Sequence, residues 1–305
     1  MTDKRACFDF EVVFSNGGGL QGQGFRLDIE GDDIADSELA AYIIRDLRLL
    51  MVGEVRILNK QIIEERHKRP NKDAGVTEAA IGDGAVLVDL SHTIEHGMIT
   101  YKGLPAPLIC DYLSREQSRT QYNAGTEFQI ARIDMVANTG TYLDTPFHRY
   151  AHGTDLAGLD LSDIADLPGV VARVSGIGTR AINWGNFAAL EVKGRAVLIN
   201  TGWDRHWRTD SYFENHPFLT EAAALWLRDQ GAALVGIDSF NIDDTSGGTR
   251  PVHSVLLGAG IPIVEHMTGL DRLPVEGFRF SAVPPKIKGM GTFPVRAHAR
   301  LCACG

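Results

Sequence analysis

Cysteine is scarce in this 305-residue sequence: Cys7, Cys110, Cys302 and Cys304 are too few and too unevenly placed for a disulfide framework. Long hydrophobic runs are missing too, and no stretch approaches the length a membrane span needs. The start, MTDKRACFDFEVVF, lacks the apolar segment and small-residue cleavage site of a secretory signal. Positive charge is in deficit, with 30 Lys and Arg against 39 Asp and Glu and a formal net charge of −9. That balance argues against a nucleic-acid footprint or a basic membrane surface and leaves small molecules as the expected partners. A reducing cytoplasm fits these absences. The CxC at Cys302 and Cys304 has no local partners for a metal or redox role and reads as an exposed, reduced tail.

What is present is ordinary for a globular chain: 44% hydrophobic and 23% charged residues. A chain of this length buries a large core without disulfides, as one large domain or one plus a small appendage. Residues 7–30 read as two strands joined by a turn through Asn16-Gly17-Gly18-Gly19, whose glycines supply positive φ. Asp36-Ser37 offers an N-cap, after which Leu39, Ile43, Leu47, Leu50, Val55, Leu58 and Ile62 recur at helical spacing. Residues 1–69 are therefore expected to form a β-hairpin plus long helix appendage, serving as an oligomerisation arm or a lid. Residues 70–84 are polar and glycine-bearing, as a linker would be.

The main domain is expected over residues 85–305. Short β-branched runs such as VVARVSG, AVLINTG and ALVGIDS outnumber helices, of which Thr220–Gln230 is the clearest. This pattern predicts an α/β fold on a mixed sheet rather than a doubly wound one.

Two segments carry chemistry. In Asn138-Thr-Gly-Thr-Tyr-Leu-Asp-Thr-Pro-Phe-His148, Gly140 and Pro146 shape a loop that holds Asp144 and His148 at the end of a strand-like run. In the second, His253 leads an apolar run and Glu265 ends a strand, where a buried carboxylate needs a metal, histidine or arginine partner. Taken alone, each residue has a bland reading, as a turn former, an ion-pair member or a hydrogen-bonded histidine.

NTGTYLDTPFH resembles the H-x-G-T-H-x-D-x-P-x-H signature of the cyclase family, which includes kynurenine formamidase and isatin hydrolase. The likeness continues in DLSHTIEHGMITYKG, INTGW, LVGIDSFNID, the His253…Glu265 segment and AVPPKIKGMGTFPVRA, in order over roughly residues 85–300. The resemblance implies the family's compact α/β domain, usually oligomeric, and a divalent metal. It implies Asp144, His253 and Glu265 as ligands, His148 as general acid/base, and Tyr101 as an aromatic residue lining the substrate pocket. Trp203, in an aromatic loop, is a further candidate for substrate contact.

Two positions depart from the signature. Its first histidine is Asn138 and its second is Tyr142, where the resemblance implies a further metal position beside the one on Asp144, His253 and Glu265. Amide and phenol oxygens are harder and bind zinc less well than imidazole. The implied site is thus one divalent ion (manganese, zinc or iron) on Asp144, His253 and Glu265, with Asn138 as a possible oxygen ligand. Tyr142 has two readings: a hydrogen-bond donor to a developing oxyanion, or a plug in the vacated position.

The resulting expectation is a metal-dependent hydrolase of an amide, formamide or cyclic amide (a lactone is a close variant), working as a homodimer or tetramer. Two alternatives stand beside it. One is a metal-independent acid/base isomerase or cyclase; the other is a small-molecule binder that does not turn over.

Overall fold

The computed structural model describes residues 3–301 apart from 16, 30, 47, 48, 50, 66–78 and 82–84. Cys302, Cys304 and most of the expected linker lie outside the described residues. The chain forms two compact units, Met1–Gly75 and Val76–Gly305.

The first unit contains β1 (Asp3–Phe14), β2 (Gly19–Ile29), α1 (Asp36–Asp46) and β3 (Val52–Glu65). Its strands form an antiparallel sheet in the order β2-β1-β3. Ala6, Phe8, Phe10 and Val12 alternate along β1, so they share one face, and they pack with Leu39 and Ile43 of α1. The hairpin is as expected, but the long helix is not: α1 ends at Asp46, and the second half of the apolar stripe is strand β3. Val55 and Ile57 keep a two-residue alternation, the pairing with β1 is irregular around Leu58, and Lys60 and Ile62 resume it. That one-residue slip made a strand imitate helical spacing. The β-branched residues of 52–63 favour the extended form.

In the second unit, β4 (Ala79–Ile81), β5 (Ala85–Asp89), β6 (Leu108–Leu113), the one-turn α2 (Arg115–Ser118) and β7 (Ile130–Asp134) come first. Next are β8 (Tyr142–Asp144), the one-turn α3 (Pro146–Arg149), β9 (Leu167–Arg173), β10 (Ala181–Ile182), β11 (Ala196–Asn200) and β12 (Phe218–Leu219). The remainder is α4 (Glu221–Asp229), β13 (Leu234–Ile237), α5 (Pro251–Gly258), β14 (Ile263–Glu265), β15 (Glu276–Ser281), β16 (Thr292–Pro294) and β17 (His298–Leu301).

Ten strands make one mixed sheet in the order β16-β8-β14-β13-β11-β9-β15-β17-β5-β4. β9, β11, β13 and β14 run parallel at its centre, and the flanking strands are antiparallel. The central strands are apolar on both faces because both are covered. Val197, Ile199, Val235 and Ile263 pack under α4 and α5. Leu198, Leu234 and Val264 face a second core that also contains Leu143 of β8 and Val88 of β5. Those two strands lie near opposite ends of the sheet, so a shared core requires the sheet to curl. A bridge between Ser91 and Met267 closes the curl. The mixed-sheet α/β architecture expected from the sequence is thus present. No helix among the described residues is long and apolar enough to cross a membrane.

Candidate active site

Strand register assembles the site. Tyr142 lies opposite Glu265 and Asp144 opposite Ile263 in the β8–β14 pair, while Thr292 of β16 lies opposite Asp144 on its other side. Tyr142 and Asp144 are two residues apart and share the face that α5 covers. Gly140, at φ 67°, makes the turn before β8; a Cβ there would sit 2.9 Å from Ile94 Cγ1. Gly291 lets β16 approach α3, since a Cβ there would lie 2.3 Å from the His148 backbone nitrogen.

Asp243 sets His253 in place. Its carboxylate accepts from the backbone N–H groups of Val252 and His253 at 2.8 and 3.0 Å, capping α5, and contacts His253 Nδ1 at 2.6 Å. The Nδ1 proton is thereby committed to Asp243, and Nε2 points at Asp144 Oδ2 (3.7 Å) and Glu265 Oε1 (3.9 Å). On the other side, Thr292 Oγ1 donates to Asp144 Oδ1 and lies 2.7 Å from His148 Nδ1. A hydroxyl that gives its one hydrogen to Asp144 accepts from His148, so Nδ1 carries the proton and Nε2 is the free base.

Glu265 is held by the Ile242 N–H at 2.6 Å and the Tyr142 hydroxyl at 2.6 Å. The Tyr101 hydroxyl lies 3.1 Å from that of Tyr142 and accepts from Asn241 Nδ2 at 2.8 Å. Burial, then the charges of Glu265, Tyr101 and Asp144, hold the Tyr142 phenol well above its usual range, so it stays protonated. Burial and the neighbouring Asp144 charge push Glu265 up, against the pull of His253 and the two donors. Burial pulls His253 down, but the Glu265, Asp144 and Asp243 carboxylates outweigh it and carry its pKa upward. The three carboxylates therefore favour a positive charge between them.

The cleft encloses about 280 Å³ and is lined by Asn138, Tyr142, His148, His253 and Glu265, together with Tyr101, Leu104 and Asn241. It brings together all the expected site residues but two. Asp144 lies beneath it, fully buried. Trp203 is placed elsewhere: its indole N–H donates to the Tyr212 carbonyl at 3.0 Å, and it lines a separate cavity with Arg180 and Arg205. Asp243 and Thr292 were not identified as site residues from sequence. Arg149 and Arg250 were also missed and line the cleft.

The Cyclase family model matches residues 88–244, just over half of the chain. The chain belongs to the cyclase family. Among cyclase-family relatives, it is 29% identical over 186 residues to the kynurenine formamidase of Geobacillus thermodenitrificans, covering 60% of this chain and 86% of that one. It is 28% identical over 189 residues to the kynurenine formamidase of Bordetella avium, covering 61% and 87%. A solved structure described as a potential metal-dependent hydrolase with cyclase activity superposes with a TM-score of 0.60 at 25% identity, over 72% of this chain and all of that one. Isatin hydrolase A from Labrenzia aggregata shares the fold, with a TM-score of 0.61 at 21% identity over 71% of this chain and 94% of that one.

The cyclase-family site fits a divalent ion. Asp144 Oδ2 is buried without a hydrogen-bond partner, a costly state for a carboxylate oxygen that a cation relieves. Ligand bonds of about 2.1 Å place neighbouring donor atoms roughly 3–3.5 Å apart. The 3.7 and 3.9 Å separations around His253 Nε2 are within a few tenths of that. Among the described residues, the set whose donor atoms all fall within 4.8 Å of one another is Asp144, His148 and His253; Glu265 lies outside it, 3.9 Å from His253 Nε2.

Proposed function

We propose that this cyclase-family enzyme is a metal-dependent hydrolase of an amide, formamide or cyclic amide, with Asp144, His253 and Glu265 holding one divalent ion. The observation that carries this reading is the unpartnered Asp144 Oδ2, facing His253 Nε2 at 3.7 Å. The names of its relatives, a formamidase and an isatin hydrolase, support carbon–nitrogen bond cleavage. One imidazole and two carboxylates suit manganese or iron at least as well as zinc, and Asn138 lines the same cleft.

The ion supplies Lewis acidity, lowering the pKa of water and polarising the carbonyl. The protein supplies the proton path. His148 Nε2 takes a proton from water as its oxygen attacks the carbonyl carbon. The same nitrogen returns that proton to the departing amine as the carbon–nitrogen bond breaks. Thr292 keeps the ring in the required tautomer and links it to Asp144. Tyr142 acts as the plug, because its one hydrogen is committed to Glu265.

Turnover of formanilide, N-formylkynurenine and isatin by protein reloaded with manganese, iron or zinc tests this reading. Hydrolysis of one of them that is lost on chelation and on His148→Ala supports it. Turnover resistant to chelators points to metal-free acid/base chemistry. The filled Tyr142 position favours a second reading, a binder without turnover; saturable binding without hydrolysis under any metal would establish that one instead.

A further inference from the structure

Two arginines line the cleft, on the segments that carry the two histidines. Arg149 follows His148 at the end of α3, and Arg250 precedes α5 three residues before His253. Ser254 joins them: its hydroxyl donates to the Arg250 carbonyl at 2.8 Å and accepts from Arg149 Nε at 3.2 Å. Arg250 is held by its own loop, the two N–H groups of its Nη1 shared among the carbonyls of Asp244, Gly247 and Thr249 at 3.2, 2.8 and 2.7 Å. A guanidinium has five N–H donors. After these contacts, Arg250 retains Nε and Nη2, and Arg149 retains both Nη groups.

Among the described residues, neither guanidinium has a carboxylate within ion-pair distance; Arg149 lies instead against the Tyr150 ring, 5.2 Å from its centroid. The contrast with Arg180, Arg195 and Arg208, each facing an acidic side chain, is plain. Both are fork-shaped cations without counter-ions among the described residues, because the carboxylates of the cleft, Asp144, Asp243 and Glu265, face His253 instead. Planar donors of this kind match a carboxylate in bidentate fashion.

We infer that Arg149 and Arg250 form an anion subsite, and that the substrate is an amide bearing a carboxylate. This deepens the hydrolase reading and rests on it for the reacting end of the molecule. The cleft volume of about 280 Å³ accommodates a compact molecule on the scale of one substituted ring. Leu104 and Tyr101 give the ring apolar surface, the amide carbonyl lies toward Asp144 and His253, and the carboxylate lies toward the arginines.

The test compares formanilide with 3- and 4-carboxyformanilide on the full chain reloaded with manganese, in the unaltered protein and in Arg149→Gln, Arg250→Gln and the double variant. One carboxylated substrate is expected to have at least tenfold higher kcat/KM than formanilide, mainly through KM. That ratio should fall toward one in the double variant and be partly restored by lysine at either position. A ratio at or below one in the unaltered protein, or one unchanged in variants with native circular dichroism, would overturn the subsite. If no formanilide is hydrolysed, the hydrolase reading fails, and calorimetric binding of benzoate to metal-free protein decides the subsite. Benzoate binding lost in the double variant upholds it, and benzoate binding that is absent or equal in both proteins overturns it.

Discussion

The Tyr142 hydroxyl donates to Glu265 Oε2 at 2.6 Å, across the β8–β14 pair, at the position where the cyclase signature has its second histidine. A buried phenol thus holds a buried carboxylate that would otherwise need another donor or cation. Tyr142→Phe leaves that oxygen with only the long 3.5 Å contact from Asn241. The expected cost is about 1–3 kcal/mol of stability in metal-free protein, read by urea denaturation. A change below about 0.5 kcal/mol would show that Tyr142 does not hold Glu265.

The same relationship predicts how the second metal position could be regained. Asn138 and Tyr142 both line the cleft beside Glu265. Changing both to histidine restores imidazole ligands suited to zinc. Elemental analysis after loading with zinc and dialysis should rise from about one to about two ions per chain. An unchanged count would contradict the correspondence of Asn138 and Tyr142 with the signature histidines.

His148 and Thr292 have separable roles. His148→Ala removes the proton carrier and should lower kcat by about 10²–10⁴-fold while the metal content is kept. Thr292→Val leaves His148 Nδ1 and Asp144 Oδ1 without their shared hydroxyl. A fall of about 10–100-fold in activity is expected, with the native fold retained. A Thr292→Val enzyme of full activity would show that the hydroxyl does not position the base.

Acid should destabilise the protein through His92, which stacks on Trp207 with ring centroids 4.0 Å apart and whose Nε2 is buried without a partner. Burial lowers its pKa from 6.5 to about 3. A histidine whose folded pKa is depressed contributes stability that is complete above its unfolded value near 6.5 and is lost as pH falls toward 3. His266 and His216 are lowered for the same reason and act in the same direction. His92→Phe keeps the stacking and removes the titration. Relative to the unaltered protein, the variant should gain about 2 kcal/mol between pH 8 and pH 5. A difference between the two proteins that stays constant with pH would remove His92 from the account.

The grouping of Asp144, His148, His253 and Glu265 was legible only through the resemblance to the cyclase signature, since each residue alone has an ordinary reading and the two segments are far apart in the chain. The mixed sheet was legible from short β-branched runs. Strand β3 was not, because its pairing irregularity around Leu58 shifts a two-residue alternation into helical spacing. Thr292 stands 148 residues from Asp144, and only the β8–β16 register reveals their pairing. Arg149 and Arg250 belong to no motif in the sequence, and only the approach of α3 to α5 brings them to one cleft. Trp203 shows the converse: its glycine-led aromatic loop suggested substrate contact, yet its indole is tied to Tyr212.

The central claim is that Asp144, His253 and Glu265 bind one catalytic divalent ion. Elemental analysis of the purified full-length chain tests it most directly, beside Asp144→Ala and Glu265→Ala, each confirmed as folded by circular dichroism. The account predicts about one manganese, iron or zinc per chain in the unaltered protein and less than a tenth of that in either variant. A folded, metal-free protein that takes up none of these ions on reloading, or variants that keep a full equivalent, would contradict it.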